Sequence, residues 1–148
     1  MPAPYTKVNT KDLKVGIKYY DLTGAEYWPL VCTVTRSLSQ QKNEVDVTTT
    51  CGQDFLPGND DNSFEAEVLW LTAASYNGEE VVTASELWDI FNANGEVDIR
   101  LADDLDTPLN YGFDFAAQIF GFNDDAPTEG AVTNSLTFRV KGAISKLI

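Results

Sequence analysis

Strict two-residue alternation governs the middle of this chain and leaves few folds open to it. In Glu44-Val45-Asp46-Val47-Thr48-Thr49-Thr50, Val45 and Val47 alternate with Asp46 and Thr48. In Ser63-Phe64-Glu65-Ala66-Glu67-Val68, Phe64, Ala66 and Val68 alternate with two glutamates. Successive side chains of a strand point to opposite faces, so each run reads as a strand with one buried face. Between them, Phe55-Leu56-Pro57-Gly58 and Asn59-Asp60-Asp61-Asn62 supply turn-favouring residues, which predicts an extended loop over 52–62.

The same period extends along most of the chain. Val15–Leu22 reads as a first strand, ended by Thr23-Gly24, after a polar arm over 1–14 that Pro2 and Pro4 hold extended. Trp28–Leu38 reads as a second, with Leu30, Cys32 and Val34 on one face. The polar run Ser39–Asn43 predicts a reversal, so that Trp28–Leu38 pairs with Glu44–Thr50. Ser63–Thr72, Glu96–Leu101, Tyr111–Phe122 and Ala131–Ile144 follow, with a bulge expected near Asn134. Asn77-Gly78 signals a tight turn.

The period changes once. Thr83-Ala84-Ser85-Glu86 is a capping box, with Leu87, Ile90, Phe91 and Asn94 at helical spacing and Gly95 as a left-handed stop. One helix is predicted, at about 84–94. The expected architecture is mainly β, a β-sandwich or curled β-barrel with that one short helix, forming a single domain over 15–148 behind the arm. At 148 residues the chain can bury a core without metals or disulfides.

Charge and composition narrow the function. Ten Lys and Arg oppose 23 Asp and Glu, a net charge of −13. Such a surface repels phosphate backbones and anionic membranes. Without histidine the chain lacks the commonest general base and transition-metal ligand. Adjacent carboxylates such as Asp103 and Asp104, or Asp124 and Asp125, sit in predicted turns and point into water, which argues against acid–base catalysis. Cys32 and Cys51 lack metal-binding spacing, and Cys32 is expected to be a buried free thiol. No leader and no apolar run of membrane-spanning length stand out, so a soluble protein made in a cytoplasm is expected.

In order and pattern the chain resembles the tail tube proteins of tailed bacteriophages. The resemblance rests on the acidic Asp46-Val47-Thr48-Thr49 strand end, the Pro57-Gly58 loop, the Ser63-Phe64 strand, the helix after Thr83 and the final Ser135-Leu136-Thr137-Phe138-Arg139-Val140-Lys141-Gly142 strand. It implies a structural, non-enzymatic subunit without cofactor, whose copies form hexameric rings stacked into a tube for DNA ejection. Implied partners are further copies, a tape-measure protein, and terminator and tip proteins, with genomic DNA passing through unbound. The place implied is the virion tail, assembled in the bacterial host cytoplasm. Candidate inter-subunit contacts are Phe55, Leu56, Pro57 and Gly58, with Tyr5 in the arm. Candidate lumen-facing acids are Glu65, Glu67 and Asp98.

Two other readings stay open at the level of sequence. One is a secreted-type calcium- or carbohydrate-binding β-sandwich, with oxygen ligands from Asp60, Asp61 and Asn62 or from Asp103, Asp104 and Asp106, and with Trp28, Trp70 and Trp88 stacking on sugar rings. The other is a different virion protein, such as a head decoration or tail-terminator subunit.

Overall fold

A computed structural model describes residues 13–49, 52–73, 75–76, 78–125 and 130–148. The strands are β1 (Lys14–Ile17), β2 (Tyr19–Tyr20), β3 (Glu26–Tyr27), β4 (Leu30–Val31), β5 (Thr33–Thr49) and β6 (Gly52–Leu69). They continue with β7 (Ser75–Tyr76), β8 (Glu79–Glu80), β9 (Glu96–Ala102), β10 (Gly112–Asp125) and β11 (Thr133–Lys146); α1 (Ala84–Asn92) lies between β8 and β9. Seven strands form one sheet in the order β4-β1-β9-β10-β11-β6-β5, every neighbour antiparallel.

The sheet curls because one stretch of chain serves both its edges. Leu30 and Val31 pair with β1 at one margin, and after Cys32 alone the chain continues as β5 at the other margin. The Leu69 amide donates to the Cys32 carbonyl at 3.0 Å, fixing the corner. The sheet is thus drawn round towards a half-barrel, as expected of a mainly β chain with one short helix.

Alternation decides what the curl encloses. Phe64, Ala66 and Val68 of β6 meet Leu136 and Phe138 of β11, Phe115, Ala117 and Ile119 of β10, and Val97, Ile99 and Leu101 of β9 in one buried cluster. Phe64 makes a tilted contact with Phe138 (5.4 Å between centroids) and an edge contact with Phe115 (5.5 Å). The helix closes the open side with Ala84 and Leu87, both buried, while Ile90 and Phe91 pack against the cluster. Phe91 also stacks on Phe122 at 6.2 Å.

The helix start is half of the capping box. Thr83 Oγ1 accepts the Glu86 amide at 3.3 Å, but the Glu86 carboxylate accepts the Tyr19 hydroxyl at 2.8 Å instead of reaching back. The left-handed residue at its end is Asn94 (φ 54°), not Gly95. Asparagine tolerates that conformation, so either residue could have served.

Five other expectations are corrected. The polar run Ser39–Asn43 does not reverse the chain: β5 is continuous from Thr33 to Thr49, and the reversal falls between Thr49 and Gly52, which are paired. The 52–62 segment is not a loop but the first half of β6, with Phe55 opposite Asp46 and Pro57 opposite Glu44. Cys32 is only partly buried; Val31 is the buried residue there and Val34 is exposed. The bulge expected at Asn134 lies elsewhere, since Asn134 pairs regularly with Val68 and Asp124. The register shifts instead between Ile119 and Gly121, beside exposed Phe120, and between Asp114 and Ala116, opposite Gly142 with its φ of 75°. Val15–Leu22 divides into β1 and β2, with Lys14 already paired to Ala102.

Candidate assembly surfaces

Long strands matter here for where their partners stop. β6 is paired with β11 only from Ser63 to Leu69, yet it is paired with β5 all the way from Gly52. The two strands therefore leave the sheet as a two-stranded arm, Gln40–Thr49 against Gly52–Asn62. At about 3.4 Å per residue it projects roughly 30 Å. A two-stranded ribbon standing alone in water is only marginally stable. Phe55, Leu56, Pro57 and Gly58 all fall within it, at backbone positions opposite Glu44–Asp46 and at a register shift between Lys42 and Glu44. A proline is tolerated at such an irregularity because no ladder bond is lost. Tyr5 lies outside the described residues.

The outer margin of β5 is the second surface. Among the described residues no strand pairs with it on the side away from β6, so its backbone N–H and C=O groups form an open edge. Open edges invite strand addition.

The third is the polar face of the sheet, opposite the core. Glu65 stands across from Ser37 and Thr137, and Glu67 across from Thr35 and Ser135. Asp98 is on the same face, but on β9, with β10 and β11 between it and the glutamates. The three predicted lumen acids therefore share a face without forming a cluster. They also differ in their company. Asp98 is 3.5 Å from Lys18 Nζ, Lys141 Nζ reaches Glu96 at 2.6 Å, and Arg139 faces Asp61 at 3.4 Å. Among the described residues Glu65 and Glu67 are in no salt bridge, and Glu67 Oε1 accepts the Thr133 hydroxyl at 2.7 Å. This face is thus close to charge-balanced except along β6.

Arg100 anchors the β9–β10 part of that face. Its Nε and Nη2 donate to the two oxygens of Asp114 at 2.8 and 3.0 Å, and Nη1 donates to the Leu105 carbonyl at 2.7 Å. Its guanidinium lies 4.1 Å from the centre of the Trp28 ring. Trp28 is therefore engaged by a cation and is not a free stacking platform. Sequence reasoning missed this group; the lone arginine in the clean alternation of Glu96–Leu101 was its signal.

The acidic turn Asp103–Pro108 is held by its own carboxylates. Asp103 accepts the amides of Asp104, Leu109 and Asn110, and Asp104 accepts those of Asp106 and Thr107. These backbone hydrogen bonds hold the Asp103 carboxyl below its ordinary pKa. The Asp103 and Asp104 oxygens offered in the sequence as calcium ligands are thus turned towards backbone amides. No group of three or more potential metal-binding side chains occurs among the described residues.

Trp70 and Trp88 do come together. With Phe122, Asp124, Val132 and Asn134 they line an open cleft of about 470 Å³ at the end of the sheet where β6 stops and β11 begins. Trp70 is held there by its amide, which donates to the Val132 carbonyl at 3.0 Å.

No known protein-family profile and no curated protein sequence matches the chain. Solved structures do. A chain from the tail of an empty gene transfer agent particle, obtained with C6 symmetry, superposes with a TM-score of 0.70 at 19% identity, over 96% of this chain and 100% of that one. The SPP1 tail tube matches with a TM-score of 0.71 at 17% identity, over 95% of this chain and 78% of that one. A chain of an extracellular contractile injection system, in a sheath–tube complex, matches at 0.60 and 12% identity over 95% and 93%. The fold of this chain, over nearly its whole length, is the fold shared by these tail and tube subunits.

Proposed function

We propose that the chain is the structural, non-catalytic subunit of a phage-type tail tube, assembling into hexameric rings that stack around a conduit for DNA. The observation that carries this reading is the likeness in fold to tail and tube chains over almost the full length of this chain. The open β5 edge and the projecting arm give it a physical basis. An edge strand completed by the next subunit, repeated around a ring, leaves no edge unpaired. The C6 symmetry of the gene transfer agent tail makes six the copy number of choice.

In this reading the polar sheet face lines the bore, with Glu65 and Glu67 as its uncompensated acids and Asp98 muted by Lys18. A bore with a small acidic surplus does not gain DNA affinity by counterion release, so the DNA can slide. Phe55, Leu56, Pro57 and Gly58 contact the neighbouring subunit through the arm. The remaining partners are a tape-measure protein inside and terminator and tip proteins at the ends, met in the host cytoplasm and carried in the virion tail. The test is replacement of Phe55 and Leu56 by serine in the full chain. Monomer unfolding should be unchanged while tube formation seen by negative-stain microscopy is lost; tubes of normal yield and length would refute the arm contact.

A further inference from the structure

The cleft between Trp70 and Trp88 has no role in the fold, and its makeup describes its occupant. Both indoles are large and unusually open, at 42% and 49% exposure, although α1 spends its apolar face on Leu87, Ile90 and Phe91. At its base Asn134 is 1% exposed, and its Oδ1 has no hydrogen-bond partner. The Asn134 amide nitrogen donates weakly, at 3.4 Å, to Asp124, whose carboxylate also lines the cleft. A buried acceptor left unpaired is costly, so the site suits a ligand that brings donors and flat apolar groups.

The first eleven residues have that chemistry. Pro2-Ala3-Pro4-Tyr5 is a short proline-rich segment ending in an aromatic, and such segments dock in grooves lined by aromatic rings. Tyr5 brings a hydroxyl donor. Lys7 and Lys11 follow, with no acid before Asp12, in a chain whose net charge is −13. The segment is thus a cationic, donor-bearing tail facing a cleft that holds a carboxylate and an unpaired acceptor.

Topology says which copy it meets. The segment joins the sheet at Lys14, which pairs with Ala102, which pairs with Gly112 at the start of β10. Phe122 of the cleft lies ten residues along that same strand, roughly 34 Å away. Tyr5 is nine residues from Lys14, a reach of about 30 Å if drawn completely straight. Lys14 enters the sheet at the end opposite the cleft, the end that a stacked copy's cleft would face, whereas reaching the cleft of its own subunit would require the segment to run nearly straight along the whole sheet. A contact between opposite ends of identical subunits is head-to-tail and propagates without closing.

We propose that residues 2–7 of one subunit dock in the Trp70–Trp88 cleft of a copy stacked end to end, forming an axial link of the assembly. This rests on the tail-tube reading and adds to it a specific receptor for the N-terminal segment. The test places a photo-crosslinking benzoylphenylalanine at Tyr5 of the full-length protein. Dimer-mass adducts mapping to peptides that contain Trp70, Trp88 or Val132 are expected; adducts only of monomer mass, or dimers mapping elsewhere, overturn the link. Trp88→Ala, at a half-exposed position, should raise the concentration needed for polymerisation by roughly tenfold or more with unfolding unchanged. Unaltered polymerisation would also overturn it. Normal tubes with crosslinks elsewhere would sink this link alone, whereas the absence of any tube would sink the tail-tube reading itself.

Discussion

Replacing Arg100 by methionine removes one charge and keeps most of the side-chain volume, and its cost follows from the contacts. Arg100 and Asp114 are 16% and 28% exposed, so solvent screens the pair only in part. The two-pronged hydrogen bonding to a carboxylate contributes on the order of 1.5–3 kcal/mol. The stack on Trp28 at 4.1 Å adds about 0.5–1 kcal/mol. Relief of the arginine's own desolvation offsets part of this, and water can reach the abandoned Asp114. The net expected loss is about 2–3 kcal/mol, which for a domain of this size lowers the melting temperature by roughly 5–10 °C. Calorimetry and urea unfolding of Arg100→Met, Asp114→Asn and the double variant measure it. A coupling of about 1–2 kcal/mol between the two sites is expected. Strict additivity, or a loss below about 0.5 kcal/mol, would refute the view that this arginine ties Trp28, β9 and β10 together.

Three further outcomes follow from single sites. Phe64→Ala, at a ring 1% exposed between Phe115 and Phe138, should destabilise by about 3–5 kcal/mol in chemical unfolding. The Asp103 carboxyl, lowered by accepted backbone amides, supports its turn while ionised; that support is complete above the ordinary value of 3.8 and is lost as pH falls through the lowered one. Hydrogen exchange at Leu109 and Asn110 should therefore quicken in Asp103→Ala at about pH 5, and the difference from wild type should vanish in strong acid. Burial, with a smaller contribution from Glu79, pushes the Cys32 thiol above its ordinary pKa, so alkylation at neutral pH should be slower than in the urea-unfolded chain.

Much of the fold was legible because core alternation is unambiguous. By period alone Phe64, Ala66 and Val68 share one face of their strand and Val97, Ile99 and Leu101 one face of theirs, and all six are buried. Thr83 was readable as a helix cap because its chemistry is local. The arm was not. The polar runs Ser39–Asn43 and 59–62 hold no alternating apolar residues, so nothing in their sequence marks a continuing strand and they look like turns. Glu86 was misread for the opposite reason: a partner 67 residues away, Tyr19, took the carboxylate from its local role. Cys32 defeated the face assignment because it sits at the corner where β4 becomes β5 and the alternation restarts. The Trp70–Trp88 cleft joins two residues with no sequence relation; only the exposed-face position of Trp88 on α1 hinted that it was free for something else.

The central claim is that this chain completes itself with copies of itself. Negative-stain electron microscopy of the purified full-length protein across a concentration series tests it most directly. Rings with sixfold symmetry and hollow filaments that lengthen with concentration are the predicted result. Isolated globular particles at every concentration, with and without tail-tip components, would contradict it.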